Sequence, residues 1–448
     1  MSGVGGEDVV TSQERSPGRI LPPSVPSRAS RIASYLSDPL TGLMPTGRYL
    51  AENAADYDSS LKLDYVGQPS VGFGTDRFGS YAAGGASAYF SDMLGNRSLG
   101  VSLLAQGTFK DIGGQVFYVN QEKRLNWGLS AGRVAYMYGY QFYDREPNGN
   151  LSVNLLRQRI FLTQTSVMAA YPFSMTRRVE TNVGIQRISF DTERETYVYN
   201  QLGQLAQQPE RISLPSRDAV NLASVSLALV GDNSNAAFVS PVSGGRFRLE
   251  VGQSLGTMNF TSVVADFRRY LSPSNSITFA VRGLHFGRYG NNLDTNRQTA
   301  AISPYFLGYE TFIRGYAFES FEPEECDSSG ALSGNCPGFD RLFGHRLAVA
   351  NAEVRVPFLG TPRFGLISFP FLPTELFLFA DAGVAFNDLD EVNFEFVRSG
   401  DQRVPVFSTG FGARMNILGF LILEAYWAHP FQRPLKGNHW GFSLAPGW

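Results

Sequence analysis

Two cysteines, four histidines and four tryptophans in 448 residues leave little material for thiol or imidazole chemistry. Charge is scarce as well: charged residues make up 17%, against about 25% in average soluble domains, so this composition does not build a salt-bridge-laced soluble surface. Neither sign dominates, and a net charge of −2 offers no general attraction for nucleic acid. No stretch approaches the ~18 to 20 apolar residues that a spanning helix needs. The nearest run, Leu418 to Leu423, is cut by Glu424. A cleavable leader is not visible either, because Met1 to Glu14 is polar and Gly-rich. Catalytic signatures are missing too: there is no Gly-x-Ser-x-Gly elbow, His-Glu-x-x-His pair, Cys-x-x-Cys or phosphate-cradling loop. His285, His345, His429 and His439 are scattered. No enzyme, cofactor or metal site is expected.

What the chain has is glycine and aromatics: 47 Gly, 35 Phe and 20 Tyr. That is far more buriable surface than a disordered chain carries, and with few helical periods it favours an all-β class. Residues 1–59 stand apart, with Ser16, Pro17, Gly18, Pro22, Pro23 and Pro26 marking a flexible linker or tail. Cys326 and Cys336 sit in a polar stretch with Asp327, Ser328, Gly330 and Asn335, a loop by composition. Two thiols in one loop read as a local disulfide in an oxidising compartment, with free thiols the alternative. Zinc would need further ligands that the neighbourhood lacks.

From about residue 80 the chain breaks into segments of roughly ten residues whose apolar and polar positions alternate. In Ala348, Ala350, Ala352, Val354, Val356 and Phe358 one parity is apolar, and the other carries Asn351, Glu353 and Arg355. Arg246 to Val251 repeats the pattern, as do Val134, Tyr136, Tyr138, Tyr140 and Phe142 opposite Arg133 and Gln141. Leu421, Leu423, Ala425 and Trp427 oppose Glu424 and Tyr426 in the same way. A soluble sandwich alternates too. Segment length, aromatics at segment ends and the continuity of the pattern favour a transmembrane antiparallel β-barrel over residues 60–448, with about sixteen strands. Short turns are expected at Ser272–Asn275 and Ile417–Gly419, and long loops at Asp144–Leu151, Asn200–Asp218, Gly287–Ala300 and Phe318–Leu342. The glycine pairs Gly72-x-Gly74 and Gly410-x-Gly412 read as close sheet packing.

The stretch Thr311-Phe312-Ile313-Arg314-Gly315-Tyr316, followed by a long loop, resembles the arginine-glycine-aromatic signature of the outer-membrane barrel-assembly and two-partner-secretion family, also called the bacterial surface antigen family. Ala350 to Phe358, Phe379-Ala380-Asp381-Ala382-Gly383, and Gly410 to Arg414 continuing to His429-Pro430-Phe431 are similar to that family in the same order. The resemblance implies that the long extracellular loop folds back to plug the lumen, with Arg314 paired to Glu353 and Asp381. A guanidinium inside a narrow barrel must be paired, and its planar fork meets carboxylates bidentately. Gly315 would turn the backbone tightly, and Tyr316 would pack on the wall. Phe377 and Phe379 share the parity of Asp381, so this strand is not cleanly polar on one face. Trp440, Phe442, Leu444 and Trp448 fall on one parity and resemble the terminal aromatic strand signal of such barrels, from which Pro446 and Gly447 depart.

The resemblance also implies a bacterial outer-membrane location among outer-membrane lipids. The expected role is insertion or translocation of a polypeptide or lipid client at the seam between first and last strands. Residues 1–59 do not accommodate the periplasmic modules that the family places before its barrel, so the reading is either a barrel-only relative, with a periplasmic partner module as a candidate partner, or a chain from which the periplasmic part is missing. The alternative is a passive pore or a structural outer-membrane anchor for such a module.

Overall fold

The computed structural model describes residues 57–444 apart from 77–78, 107–108, 291–292, 294–301, 326–335, 363, 399–401 and 420. The tail expected at 1–59 lies almost wholly outside the described residues, as do Cys326, Trp448 and the Pro446-Gly447 pair. The chain divides between Asp58 and Ser59, and the architecture below is that of the second unit.

Among the described residues, glycine, β-branched and aromatic alternation builds a twenty-stranded sheet, accompanied by a two-stranded sheet. Each long strand runs antiparallel to the next long strand in the chain, from Gly79–Ser91 through Asn126–Arg145, Leu151–Ser174 and Arg177–Tyr199 to Arg346–Gly360, Thr374–Phe386, Val406–Ile417 and Leu421–Pro430. At the start, Lys62–Val66 and Ser70–Asp76 both pair with Gly79–Ser91. At the end, the six-residue His439–Leu444 pairs with Leu421–Pro430. No ladder joins the first strand to the last among the described residues. No helix of the described chain is long and apolar enough to cross a membrane.

The side on which apolar residues lie decides the environment. Leu249 and Val251 are 51% and 57% exposed, and Leu376, Leu378, Phe411, Trp440 and Phe442 are exposed as well. On the opposite face Glu353, Arg355, Asp381 and Arg414 are buried. A water-soluble sheet does the reverse, and a contiguous apolar exterior over a charged interior belongs in lipid. The greasy positions of Ala348–Phe358 and Leu421–Trp427 follow that expectation. Val134, Tyr136, Tyr138, Tyr140 and Phe142 do not. The unbroken register Arg133↔Thr163, Tyr136↔Ile160 and Asn126↔Ala170, continued by Ala170↔Glu180 and Ala228↔Glu180, puts these tyrosines on the same face as Glu180 and Arg248, not on the greasy one. The cause is length: Leu151–Ser174 has 24 residues, whereas a crossing takes about 9 to 11. Beyond the bilayer the demand for an apolar exterior lapses.

Turns differ from expectation for the same reason. Asp144–Leu151 is not a long loop, because the strands run to Arg145 and resume at Leu151. Asn200–Asp218 contains a further strand, Glu210–Leu214, paired with the end of Arg177–Tyr199. Strands ending at Ser274 and resuming at Ile277 give one short turn. Strands ending at Ile417 and resuming at Leu421 give another, in which Leu418 and Gly419 have φ of 52° and 78°. The Phe318–Leu342 segment carries 3-10 turns at Phe318–Ser320 and Pro323–Glu325 and a short helix at Pro337–Asp340.

Candidate functional site

Register assembles the site. Across Arg346–Gly360, Thr374–Phe386, Val406–Ile417 and Leu421–Pro430, the charged-face positions align as Asn351↔Asp381, Glu353↔Phe379, Arg355↔Phe377, Glu375↔Arg414 and Arg414↔Glu424. Carboxylates, guanidiniums and aromatic rings thus form a checkerboard on one wall. The loop after Ile277–Tyr289 lays Arg314 onto it.

The Arg314 side chain donates from Nε to Asp381 Oδ2 at 2.8 Å, from Nη2 to Asp381 Oδ1 at 2.9 Å and from Nη1 to Glu353 Oε1 at 2.7 Å. Its backbone N–H also donates to Asp381, at 3.2 Å. The pairing with Asp381 is bidentate, the strongest arrangement open to arginine. Glu424 stands 3.6 Å from Nη1. Arg314 is 2% exposed, and Glu353 and Asp381 are equally buried, so each charge depends on its partners.

Phe377 and Phe379 point to the same side as Asp381 because the strand continues without a bulge through it. The guanidinium carbon of Arg314 lies 3.7 Å from the Phe379 ring centroid, and that of Arg414 lies 4.1 Å from Phe377. Rings beneath the planar cations add attraction and exclude water. Gly410 and Gly412 face these rings. A Cβ on Gly410 would lie 2.8 Å from the Phe379 ring and one on Gly412 2.5 Å from Phe377, so the glycine pair is close sheet packing that seats the aromatics.

Sequence reasoning missed several members of the cluster. Arg414 grips Glu353 with Nη1 at 2.8 Å and Nη2 at 2.7 Å, and Glu424 with Nε at 2.6 Å. Arg355 donates to Glu353 at 2.7 Å. Glu353 therefore serves three arginines at once. Glu375 accepts from Ser240 at 2.6 Å, and Asn416 reaches the Phe238 carbonyl at 2.5 Å, so the short turn around Phe238 folds over the other end of the same wall. The signal was present as charges on the face of Glu353. Which of them meet is a matter of register.

The loop backbone is held as firmly as its arginine. Arg282 donates to the Thr311 carbonyl at 2.9 Å, Asn351 to the Phe312 carbonyl at 2.7 Å, and Arg433 to the Gly315 carbonyl at 2.7 Å. Gly315 has φ +87°, a conformation that strains any side chain, and a Cβ there would also sit tightly, 3.3 Å from Ala428. Tyr316 is 1% exposed. Its hydroxyl donates toward the Phe407 carbonyl and Gln432 Oε1 at 3.0 and 3.1 Å and accepts from the Gln432 N–H at 3.1 Å. Leu307, Ile313, Tyr316 and Leu342 pack with wall residues Leu347, Val349, Ala385 and Val406 in one apolar cluster. Arg433 also binds Glu325 through Nε at 2.8 Å and Nη2 at 2.6 Å. Cys336 is disulfide-bonded. Trp440, Phe442 and Leu444 are 62%, 70% and 63% exposed on the greasy face. Among the described residues no group of histidine, cysteine and carboxylate side chains could hold a metal.

Residues 106–445 match the Omp85 superfamily domain. No curated protein matches the chain. Among solved structures it is similar to BamA from Haemophilus ducreyi lacking POTRA domains 1-3, at 14% identity over 87% of this chain and 75% of that one, with a TM-score of 0.49. CdiB from Acinetobacter baumannii is matched at 12% identity over 84% of this chain with a TM-score of 0.45, and this chain spans 58% of its length. CdiB from Escherichia coli is matched at 12% identity over 87% of this chain and 67% of that one, with a TM-score of 0.43. With three quarters of its length matching that domain and its apolar face turned outward, the chain belongs to the Omp85 superfamily and is a β-barrel protein of the bacterial outer membrane.

Proposed function

We propose that the sheet closes into a barrel of about sixteen crossings and that the segment from Tyr305 to Leu342 plugs its lumen. In this reading the barrel inserts or translocates a polypeptide or lipid client at the seam between first and last strands. The observation that carries it is the grip of Asp381 and Glu353 on Arg314. A loop tied down by buried charges costs several kcal/mol to release and so keeps the lumen sealed while the seam works. The seam reading is supported by one observation: among the described residues no ladder ties the last strand to the first. Short, incompletely paired edges open at lower cost than long ones. A periplasmic partner module would deliver the client.

Arg314→Ala tests the plug. In a planar bilayer the unaltered protein is expected to conduct little and the variant to conduct steadily, with faster proteolysis between Ala317 and Leu342. Equal conductance and equal proteolysis would remove the plug from the reading. For the client role, liposomes carrying the protein should fold an added outer-membrane barrel client faster than empty ones. A disulfide engineered between the first and last strands should abolish the gain.

The second reading, a passive pore, is favoured by one observation. On the sheet half away from Arg314, a depression of about 780 Å3 runs past Arg178, Glu180, Arg248 and Glu250. A large, steady conductance in the unaltered protein would select it.

A further inference from the structure

On the greasy face one row breaks the rule. Arg133↔Thr163, Thr163↔Arg187 and Asn221↔Arg187 are register partners, so Arg133, Thr163, Arg187 and Asn221 lie side by side across four neighbouring strands. All four are exposed. The row below them is Ala131, Thr165, Ile185 and Ala223, continued by Leu255. Ile185 is 65% and Leu255 54% exposed. Further down stand Trp127, Tyr171 and Phe173, also exposed. Ten residues separate Thr163 from Phe173, about 33 Å along a strand and roughly 25 Å of bilayer height at the usual tilt, which is the thickness of an apolar band. The arginine row therefore sits at one edge of the band and the aromatic girdle at the other.

Which edge is which follows from the connections. The short turn Met175-Thr176 closes the girdle side, whereas the long hairpin of Asn126–Arg145 and Leu151–Ser174 rises beyond the arginine side. Long connections face the cell exterior in such barrels. The row lies at the outer leaflet.

Neither arginine has a carboxylate partner among the described residues. Arg133 stacks over Phe161 at 4.5 Å and reaches the Lys110 carbonyl at 3.3 Å. Arg187 donates from Nη1 to Asn221 Oδ1 at 3.2 Å. The acids nearest in register are engaged elsewhere: Asp191 and Glu193 hold Arg159 at 3.3 and 2.6 Å, and Glu195 holds Arg157 at 3.0 Å. Two strand spacings put Arg133 and Arg187 about 10 Å apart. Arg187, Asn221, Thr163, Ile185, Ala223 and Leu255 border a groove of about 490 Å3 that starts polar and ends apolar, and Arg133 stands at its rim as the register partner of Thr163.

We propose that this groove binds an outer-leaflet lipid bearing phosphomonoester groups, with phosphate between the Arg133 and Arg187 guanidiniums and acyl chains along Ile185, Ala223 and Leu255. The charge complementarity is direct, because guanidinium meets phosphate bidentately. The apolar floor supplies what a soluble anion lacks. A free phosphate therefore binds too weakly to detect, and a lipid without phosphate loses the anchor.

The test uses the full chain in detergent micelles, read by native mass spectrometry. Diphosphoryl lipid A is the probe, with chemically dephosphorylated lipid A and inorganic phosphate as comparators. Retention of the diphosphoryl form at least tenfold above the dephosphorylated form supports the site. The same preference should vanish in the doubly substituted Arg133→Gln, Arg187→Gln protein, while heat-modifiable gel mobility shows that it still folds. Arg145→Gln, on the hairpin beyond the band, should leave retention unchanged. Equal retention of the two lipids, equal retention by the double variant, or retention of inorganic phosphate alone would each overturn the proposal.

Discussion

The wall built by Arg346–Gly360 through Leu421–Pro430 and the hairpins built by Asn126 to Tyr199 use the same strand chemistry for opposite ends. On the wall, Glu353, Arg355, Glu375, Asp381, Arg414 and Glu424 face inward and are buried against partners. On the upper hairpins, charge moves outward: Arg159 is 2% exposed on the outer face, tied to Asp111 at 2.8 Å and Glu193 at 2.6 Å. Tyr136, Tyr138 and Tyr140 take the inner face at 56%, 54% and 52% exposure. Polarity thus follows the medium outside the sheet and not the strand. Hydrocarbon forces charge inward; water removes that constraint.

Perturbing the wall should cost most. Glu353→Ala leaves three buried guanidiniums short of a partner, and losing one side of a buried pair costs about 3–5 kcal/mol. The expected result is a steep fall in the temperature at which the heat-modifiable band is lost in detergent. Gly410→Val presses a branched side chain toward the Phe379 ring and the Trp427 carbonyl. Overpacking of this kind costs about 1–3 kcal/mol, read in the same assay, with partial relief expected from Phe379→Ala.

A smaller effect tests the strap that continues from the wall into the loop. Burial alone would raise the Glu325 carboxyl, but its hydrogen bonds from Arg433 outweigh burial and hold it below its ordinary value of 4.5. A carboxyl lowered by folding stabilises above its unfolded value, and that contribution disappears as pH falls through the folded one. Hydrogen exchange at 317–325, corrected for intrinsic rate, should be slow at about pH 6 and accelerate below about pH 4. Equal protection at both would remove Glu325 from the strap. The smallest effect belongs to the hairpins. Tyr138→Ser, on an exposed and watery face, should shift stability by no more than about 0.5 kcal/mol. A loss as large as that of Glu353→Ala would erase the contrast between the two regions.

Much of this was legible in the residues. Arg314, Glu353 and Asp381 could be paired through resemblance, since a buried arginine needs acids and these occupy the matching positions. Arg414, Glu424 and Arg355 were visible as charges within apolar alternation, but their sharing of Glu353 depends on cross-strand register, which no single strand encodes. The inversion at Val134–Phe142 was illegible for another reason. Alternation reports that two faces differ and not which medium each one meets, and a strand that outruns the bilayer exchanges its media part way along.

The wall cluster sets Glu353, Glu375, Asp381 and Glu424 against Arg314, Arg355 and Arg414. Only one of those cations arrives on the loop. If the proposed plug withdrew, the vacated path would be lined by an excess of anionic oxygen, and the opened duct would admit potassium ahead of chloride. A current carried through the released lumen would therefore reverse at a potential displaced toward that of the cation.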